Sequence, residues 1–301
     1  MVTSRINVAR WQENAQRNRL QSLALLLLMA GFLALLGWLL AGMVGIVLLL
    51  AAGAALSMWR DSISPEAVMR GHGAQPLLPQ QLPALWQRVA LLSQRAGLPV
   101  TPQLYVLDTP LINAFAVGRI ERPAIAITTG ALNQLDWGEI TGVLAHEISH
   151  IRNNDLRVMQ LAQLMSQGTS FLSTLGQLLL LINLPLIMLG MTTLNWWAIL
   201  LLLLAPTLSA LAQLALSRTR EYDADLNAVA LTNDPSGLAS ALGKIEWQQQ
   251  GWLRRMVLPR MQGAVPELLK THPNTDARIA RLRALARQQQ WQPLFGSMLR
   301  W

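Results

Sequence analysis

His146, Glu147, Ile148, Ser149 and His150 stand in a row, two imidazoles four positions apart with a carboxylate beside the first. On an α-helix, at about 100° per residue, positions four apart lie one above the other, so both rings can reach a single ion. Glu147 falls on the same broad side, next to the ion. A carboxylate there can accept a proton from water whose pKa a zinc ion lowers towards about 7, and later hand it to a leaving amine. Carried on a helix, this H-E-x-x-H spacing is the pattern of metal-assisted peptide hydrolysis, with His146 and His150 as ligands and Glu147 as general base.

A catalytic zinc takes a third protein ligand and keeps one position open for water. The chain has no Cys, and its other two histidines are His72 and His272, so an acidic third ligand is expected. The metzincin pattern requires Gly at 153 and His at 156; Asn153 and Leu156 stand there and exclude it. After Asp155 no Asp, Glu, His or Cys occurs until Glu221. Asp155, five residues past His150 and on the same helix or at its end, suits support of the site better than closure of it. Glu221 is the leading third ligand, with Asp155 and Asp223 as alternatives. Asp225, four residues on, shares its helix face and suits the carboxylate that fixes a ligating ring through its second nitrogen.

These residues need a helix to carry them, and the sequence supplies one. Asp136 and Glu139 form a capping-box pattern, and Ile140, Val143, Leu144, Ile148 and Ile151 recur at helical spacing behind the polar face. A helix over about 137–153 follows, buried on one side. Upstream, Leu82–Ala96 reads as an amphipathic helix and Gln103–Leu107 as a strand. Ile112–Val117 and Ala124–Thr128 read as a hairpin with its turn across Gly118–Pro123. Downstream, Ser236–Gln250 and Thr275–Gln290 read as helices.

The HEISH element, the Ser217-Arg218-x-Arg220-Glu221-x-x-Ala224-Asp225 element, and His272-Pro273 followed by Arg278-Ile279 together resemble the HtpX-like membrane zinc metalloproteases. These are gluzincins related to the prenyl-protein CAAX endopeptidases. The resemblance covers nearly the whole chain. It implies one Zn2+ per chain on His146, His150 and Glu221, Glu147 as base, and Asp225 behind the ligands. It also implies that Asn113, Ala114 and Phe115 form part of an edge strand that holds an extended peptide by backbone pairing; an ordinary structural strand is the alternative. His272 is implied beside the active site, either stabilising the oxyanion or capping the last helix. His72, between Gly71 and Gly73, reads as a loop residue.

Composition fits a membrane protein: 52% hydrophobic and only 13% charged, against about 25% charged in ordinary soluble domains. Leu23 to Met58 carries no charge; as one helix it would be about 54 Å long, well beyond a hydrocarbon core of about 30 Å. Two spans joined near Gly37–Gly42 fit better than one tilted helix, and the stretch is too long for a removable secretory signal. A second apolar block predicts spans near 170–190 and 196–215, with Trp196 and Trp197 at an interface and kinks at Pro185 and Pro206. The expected architecture is thus a mainly α membrane protein of about four transmembrane helices with a small α+β zincin-type (gluzincin) domain. Its divisions fall at 1–59, 60–168, 169–216 and 217–301, the third an inserted hairpin between two halves of the catalytic domain.

Arginines flank the four spans on one side, and both hairpin loops are uncharged. The positive-inside rule then puts both termini and the catalytic segments in the cytoplasm; a bacterial inner membrane is the expected location. The net charge of +8 lies at the membrane edges and near the C-terminus, which suits anionic headgroups and argues against nucleic acid. The expected partners are polypeptide substrates, membrane proteins above all, and the lipid bilayer; the sequence leaves oligomeric state open. The expected activity is that of a zinc metalloendopeptidase, for which the resemblance implies a role in quality control and stress response. The alternatives are a specific CAAX-type processing protease and a zinc-binding adaptor without turnover, against which the intact Glu147 argues.

Overall fold

In the computed structural model the residues described are 8–61, 64–191, 195–256 and 275–298. They form α1 (Val8–Asp61), α2 (Pro65–Gly71), β1 (Gln75–Pro76), α3 (Pro83–Ala96), β2 (Gln103–Leu107), β3 (Ala114–Arg119), β4 (Arg122–Thr128), α4 (Thr129–Gln134), α5 (Trp137–Arg152), α6 (Asp155–Ile182), α7 (Leu184–Met188), α8 (Trp196–Thr232), α9 (Pro235–Met256) and α10 (Thr275–Met298). Two compact units result, one of residues 1–15, 64–156 and 220–301, the other of 16–63 and 157–219.

The first unit is built on a four-stranded sheet in the order β1-β2-β4-β3, with β2 and β4 parallel and the outer pairs antiparallel. Alternation sorts its side chains between two faces. Leu104, Ala114, Ala116, Ile125 and Ile127 face a core shared with α3, α5 and α9, while Tyr105, Ala124 and Ala126 face Met69 of α2. The predicted strand over Gln103–Leu107 is present as such. The hairpin is tighter than expected: pairing continues through Gly118 with Pro123 and Arg119 with Arg122, so only Ile120 and Glu121 remain for the turn. Gly118 allows this at φ 90°, where a Cβ would lie 2.2 Å from the Arg122 carbonyl oxygen.

Helix α5 begins where the sequence indicated. The Asp136 carboxylate accepts from the Glu139 N–H at 2.9 Å, and the Glu139 carboxylate accepts from the Asp136 N–H at 2.8 Å. Glu139 also accepts from Ser240 and Lys244, both at 2.6 Å, which ties α9 to the start of α5. Those donors outweigh the burial that would otherwise raise the Glu139 pKa, and the carboxyl sits below its ordinary value. The two helices meet closely at Gly142, where a Cβ would lie 3.0 Å from the Leu238 backbone.

The second unit is a set of apolar helices. Leu20–Leu56 of α1 and helix α8 are long and apolar enough to cross a membrane, with only 17% and 28% of their most apolar stretches buried. Helix α1 is broken at Ala41 and Gly42, whose φ/ψ values are −143/20° and 58/−144°. A Cβ on Gly45 would fall 2.1 Å from the Gly37 carbonyl oxygen, whereas residues eight apart on a straight helix are about 12 Å apart. The chain therefore doubles back at the break, inside the joint predicted from sequence. Met29, Ala162, Ala212 and Leu216 form one core of this unit, and Leu36, Leu202 and Ala205 another.

The helix that carries the first part of the span predicted near 170–190 starts well before it and ends at Ile182, with α7 following. The chain turns at Asn153–Asn154, with Asn154 at φ 58°, and α6 starts at Asp155, so Asp155 opens a new helix instead of ending the metal-binding one. Pro206 lies inside α8 and has no N–H for the carbonyl of Leu202, four residues earlier. Ser173 Oγ donates to that oxygen, and Gln177 Nε2 does so at 3.2 Å.

Candidate metal centre

Helix α5 buries Ile140, Leu144 and Ile148 on its core side and brings His146, Glu147 and His150 to the other. The two imidazole Nε2 atoms lie 3.1 Å apart. Tetrahedral ligands at zinc–nitrogen distances near 2.05 Å would be about 3.3 Å apart, so the two rings already converge on one point. Glu221, on α8, completes the group: Oε2 is 3.4 Å from His146 Nε2, and Oε1 is 3.8 Å from His150 Nε2. Among the described residues these three side chains offer ligand atoms all within 4.8 Å of one another. Two imidazoles and a carboxylate are the donor set of a catalytic zinc site, so the residues present fit the ion that the sequence implied.

Behind each histidine stands a carboxylate. Asp225 Oδ1 is 3.0 Å from His146 Nδ1, and Asp155 Oδ2 is 2.9 Å from His150 Nδ1, an arrangement that presents both Nε2 atoms to the same point. Burial disfavours a charged His146, but Asp225 and Glu221 outweigh it and its pKa is pushed up to about 10. An entering metal ion must displace that proton.

Two arginines complete the assembly. Arg278 of α10, 1% exposed, donates from Nε to Asp225 Oδ2 and from Nη2 to Asp225 Oδ1, both at 2.7 Å, while its Nη1 lies 2.7 Å from Glu221 Oε2. Burial works against its charge, yet the facing Asp225 and Glu221 carboxylates prevail and raise its proton affinity above the ordinary value. Arg220 Nη1 lies 3.2 Å from Asp155 Oδ1. Both arginines stand in the sequence elements that carry the family resemblance, but sequence patterns gave neither a role at the metal site. The available signal was Arg278 itself, a cation at helical spacing with the buried Leu282 of the same helix.

Glu147 is held by the sheet: its Oε2 accepts from the Ala116 N–H at 2.9 Å. Strand β3 is an edge of the sheet. In an antiparallel pair successive residues point alternately towards and away from the partner strand, so Ala114 and Ala116 direct their backbone groups away from β4. Of the three positions expected to bind peptide, Ala114 lies on that free side. Asn113 is engaged with Thr128, its N–H donating to Thr128 Oγ1 and its carbonyl accepting from the Thr128 N–H, both at 3.0 Å. The ring of Phe115 packs at the opposite sheet face, edge-on to His72 at 5.6 Å. His72 is the C-cap of α2 and not a member of the metal cluster. Asp223 is buried but also outside that cluster, and His272 lies outside the described residues. A groove lined by Ile112, Lys244, Trp247 and Arg283, among others, contains none of the three candidate ligands.

Residues 77–286 match the sequence profile of Peptidase family M48. The chain belongs to that family. Its relatives include a protease HtpX homolog of Acidiphilium cryptum, 38% identical over 256 residues, covering 78% of this chain and 84% of the relative. Another, from Paraburkholderia phytofirmans, is 34% identical over 277 residues, with 87% and 95% covered. Among solved structures, that titled "Crystal Structure of S. mikatae Ste24p" aligns with a TM-score of 0.52 at 19% identity, over 90% of this chain and 66% of that one, a likeness of fold. As an M48 peptidase with long apolar helices, the chain is a membrane metalloprotease acting on polypeptides.

Proposed function

We propose that this M48 peptidase is a zinc-dependent endopeptidase of the bacterial cytoplasmic membrane that cuts membrane or misfolded proteins in quality control. One observation carries the proposal: His146, His150 and Glu221 converge within 4.8 Å with Glu147 adjacent in sequence to the first of them. His146, His150 and Glu221 would hold one zinc ion, with Asp225 and Asp155 fixing the two rings. The ion, when bound, supplies Lewis acidity towards water and the scissile carbonyl.

The chain's own groups do the rest. Glu147, held at one oxygen by the Ala116 N–H, keeps the other to take a proton from the attacking water and return it to the leaving amine. The free backbone of Ala114 on edge strand β3 would pair with an extended substrate. Such pairing reads backbone more than side chains, which suits an enzyme that acts on exposed segments of many proteins. The basic residues flanking the apolar helices support both termini and this site on the cytoplasmic side, and the reversal at Ala41–Gly42 together with α6 and α8 supports four membrane crossings.

The experiment is zinc analysis and cleavage of an unfolded test protein by the purified full-length chain. Glu147→Gln should retain about one zinc and lose about 10²–10⁴-fold in kcat. Undiminished cleavage by that variant would overturn the mechanism.

A further inference from the structure

We infer that Arg278 is a positioning residue of the metal centre, which from α10 holds Glu221 and Asp225, and through Asp225 the ring of His146, in the arrangement a divalent ion needs. The inference rests on the metallopeptidase reading and adds to it a residue that neither ligates nor transfers protons.

Stability alone gives a poor account of this side chain. Among the described residues Arg278 is the largest fully buried side chain, and burying a guanidinium costs more than a well-packed apolar residue of similar size would. Its value lies in direction. Nε and Nη2 take both oxygens of Asp225, and Nη1 faces Oε2 of Glu221, each at 2.7 Å. Because the guanidinium is rigid and planar, three contacts fix two carboxylates relative to each other as well as to α10. Asp225 so held meets His146 Nδ1 at 3.0 Å, and Glu221 so held keeps its oxygens 3.4 and 3.8 Å from the two Nε2 atoms. The charge of Arg278 also offsets Asp225, Glu221 and Glu147, which would otherwise repel one another in a buried space. A lysine carries the same charge without the fork and cannot set all three contacts at once.

The test uses full-length protein in detergent. Zinc affinity is measured by chelator competition, and coordination by the visible spectrum of the Co(II)-loaded form. Arg278→Lys should bind zinc about 10–100-fold more weakly and show an altered Co(II) spectrum, while the metal-free variant melts within a few degrees of wild type. Leu282→Ala, on the same helix and buried without a role in the cluster, is the control for loosened packing and should leave zinc affinity within about twofold of wild type. If Arg278→Lys does not accumulate, Arg278→Gln is read in the same way. Zinc affinity and Co(II) spectrum of the Arg278 variant equal to wild type would overturn the inference alone, as would an equal loss in Leu282→Ala. A wild-type chain that takes up no divalent ion would overturn the metallopeptidase reading, and the inference with it.

Discussion

His146 and His150 are each backed by a carboxylate and an arginine, but the two supports are built in opposite ways. Behind His150 the carboxylate is local: Asp155 comes five residues later, and Arg220 reaches it through a single contact at 3.2 Å. Behind His146 the support is assembled from afar, with Asp225 on α8 and Arg278 on α10 joined by two hydrogen bonds. The Arg278 side chain is 1% exposed, and that of Arg220 is 12% exposed. One ring is therefore set as soon as the turn after α5 forms. The other is set only when three distant helices have met. Tertiary assembly thus controls the His146 side of the centre, and local geometry the His150 side.

Three substitutions test that asymmetry. The largest effect is expected for Asp225→Asn, which leaves the buried Arg278 short of a charge partner. Zinc affinity should fall towards the upper end of about 10–100-fold, and the metal-free protein should lose about 3 kcal/mol of unfolding free energy, measured by chelator competition and denaturant unfolding. Asp155→Asn should lie at the lower end, about 10-fold in zinc affinity, with a much smaller change in unfolding. Arg220→Gln should cost least, because Asp155 keeps its contact with His150 and the arginine it loses is only partly buried, 12% exposed against 1% for Arg278. Equal losses in the two aspartate variants would break the comparison, and a reversed order would invert it.

The parts of the centre that the sequence displayed are those set by short-range rules. The capping box at Asp136 and Glu139 and the four-residue spacings of His146 with His150 and of Glu221 with Asp225 follow from helix geometry, and the structure brings the three candidate ligands together. Strand β2 was legible from its apolar pattern. The start of α6 was not, because Asp155 and Arg157 interrupt the apolar run and the turn depends on Asn154 at φ 58°. The tight turn at Ile120–Glu121 was hidden because Gly118 and Pro123 look like turn residues yet pair across the strands. Arg278 lies 53 residues from Asp225 in sequence, and no local pattern announces a partner so distant. Nor did spacing show which way each residue of Asn113, Ala114 and Phe115 points, which depends on the register of β3 with β4.

The carbonyl of Leu202, released by Pro206 and bound by Ser173 and Gln177, bears on how α6 and α8 align. Inside a hydrocarbon core no water would be available to donate to that oxygen, and an unmet carbonyl costs several kcal/mol. Helix α8 by itself leaves this carbonyl unmet, and α6 meets it only at the register that aligns Ser173 with Leu202. A slip of one helical turn, about 5.4 Å, would part them. The proline thus ties α8 to one partner helix in one alignment.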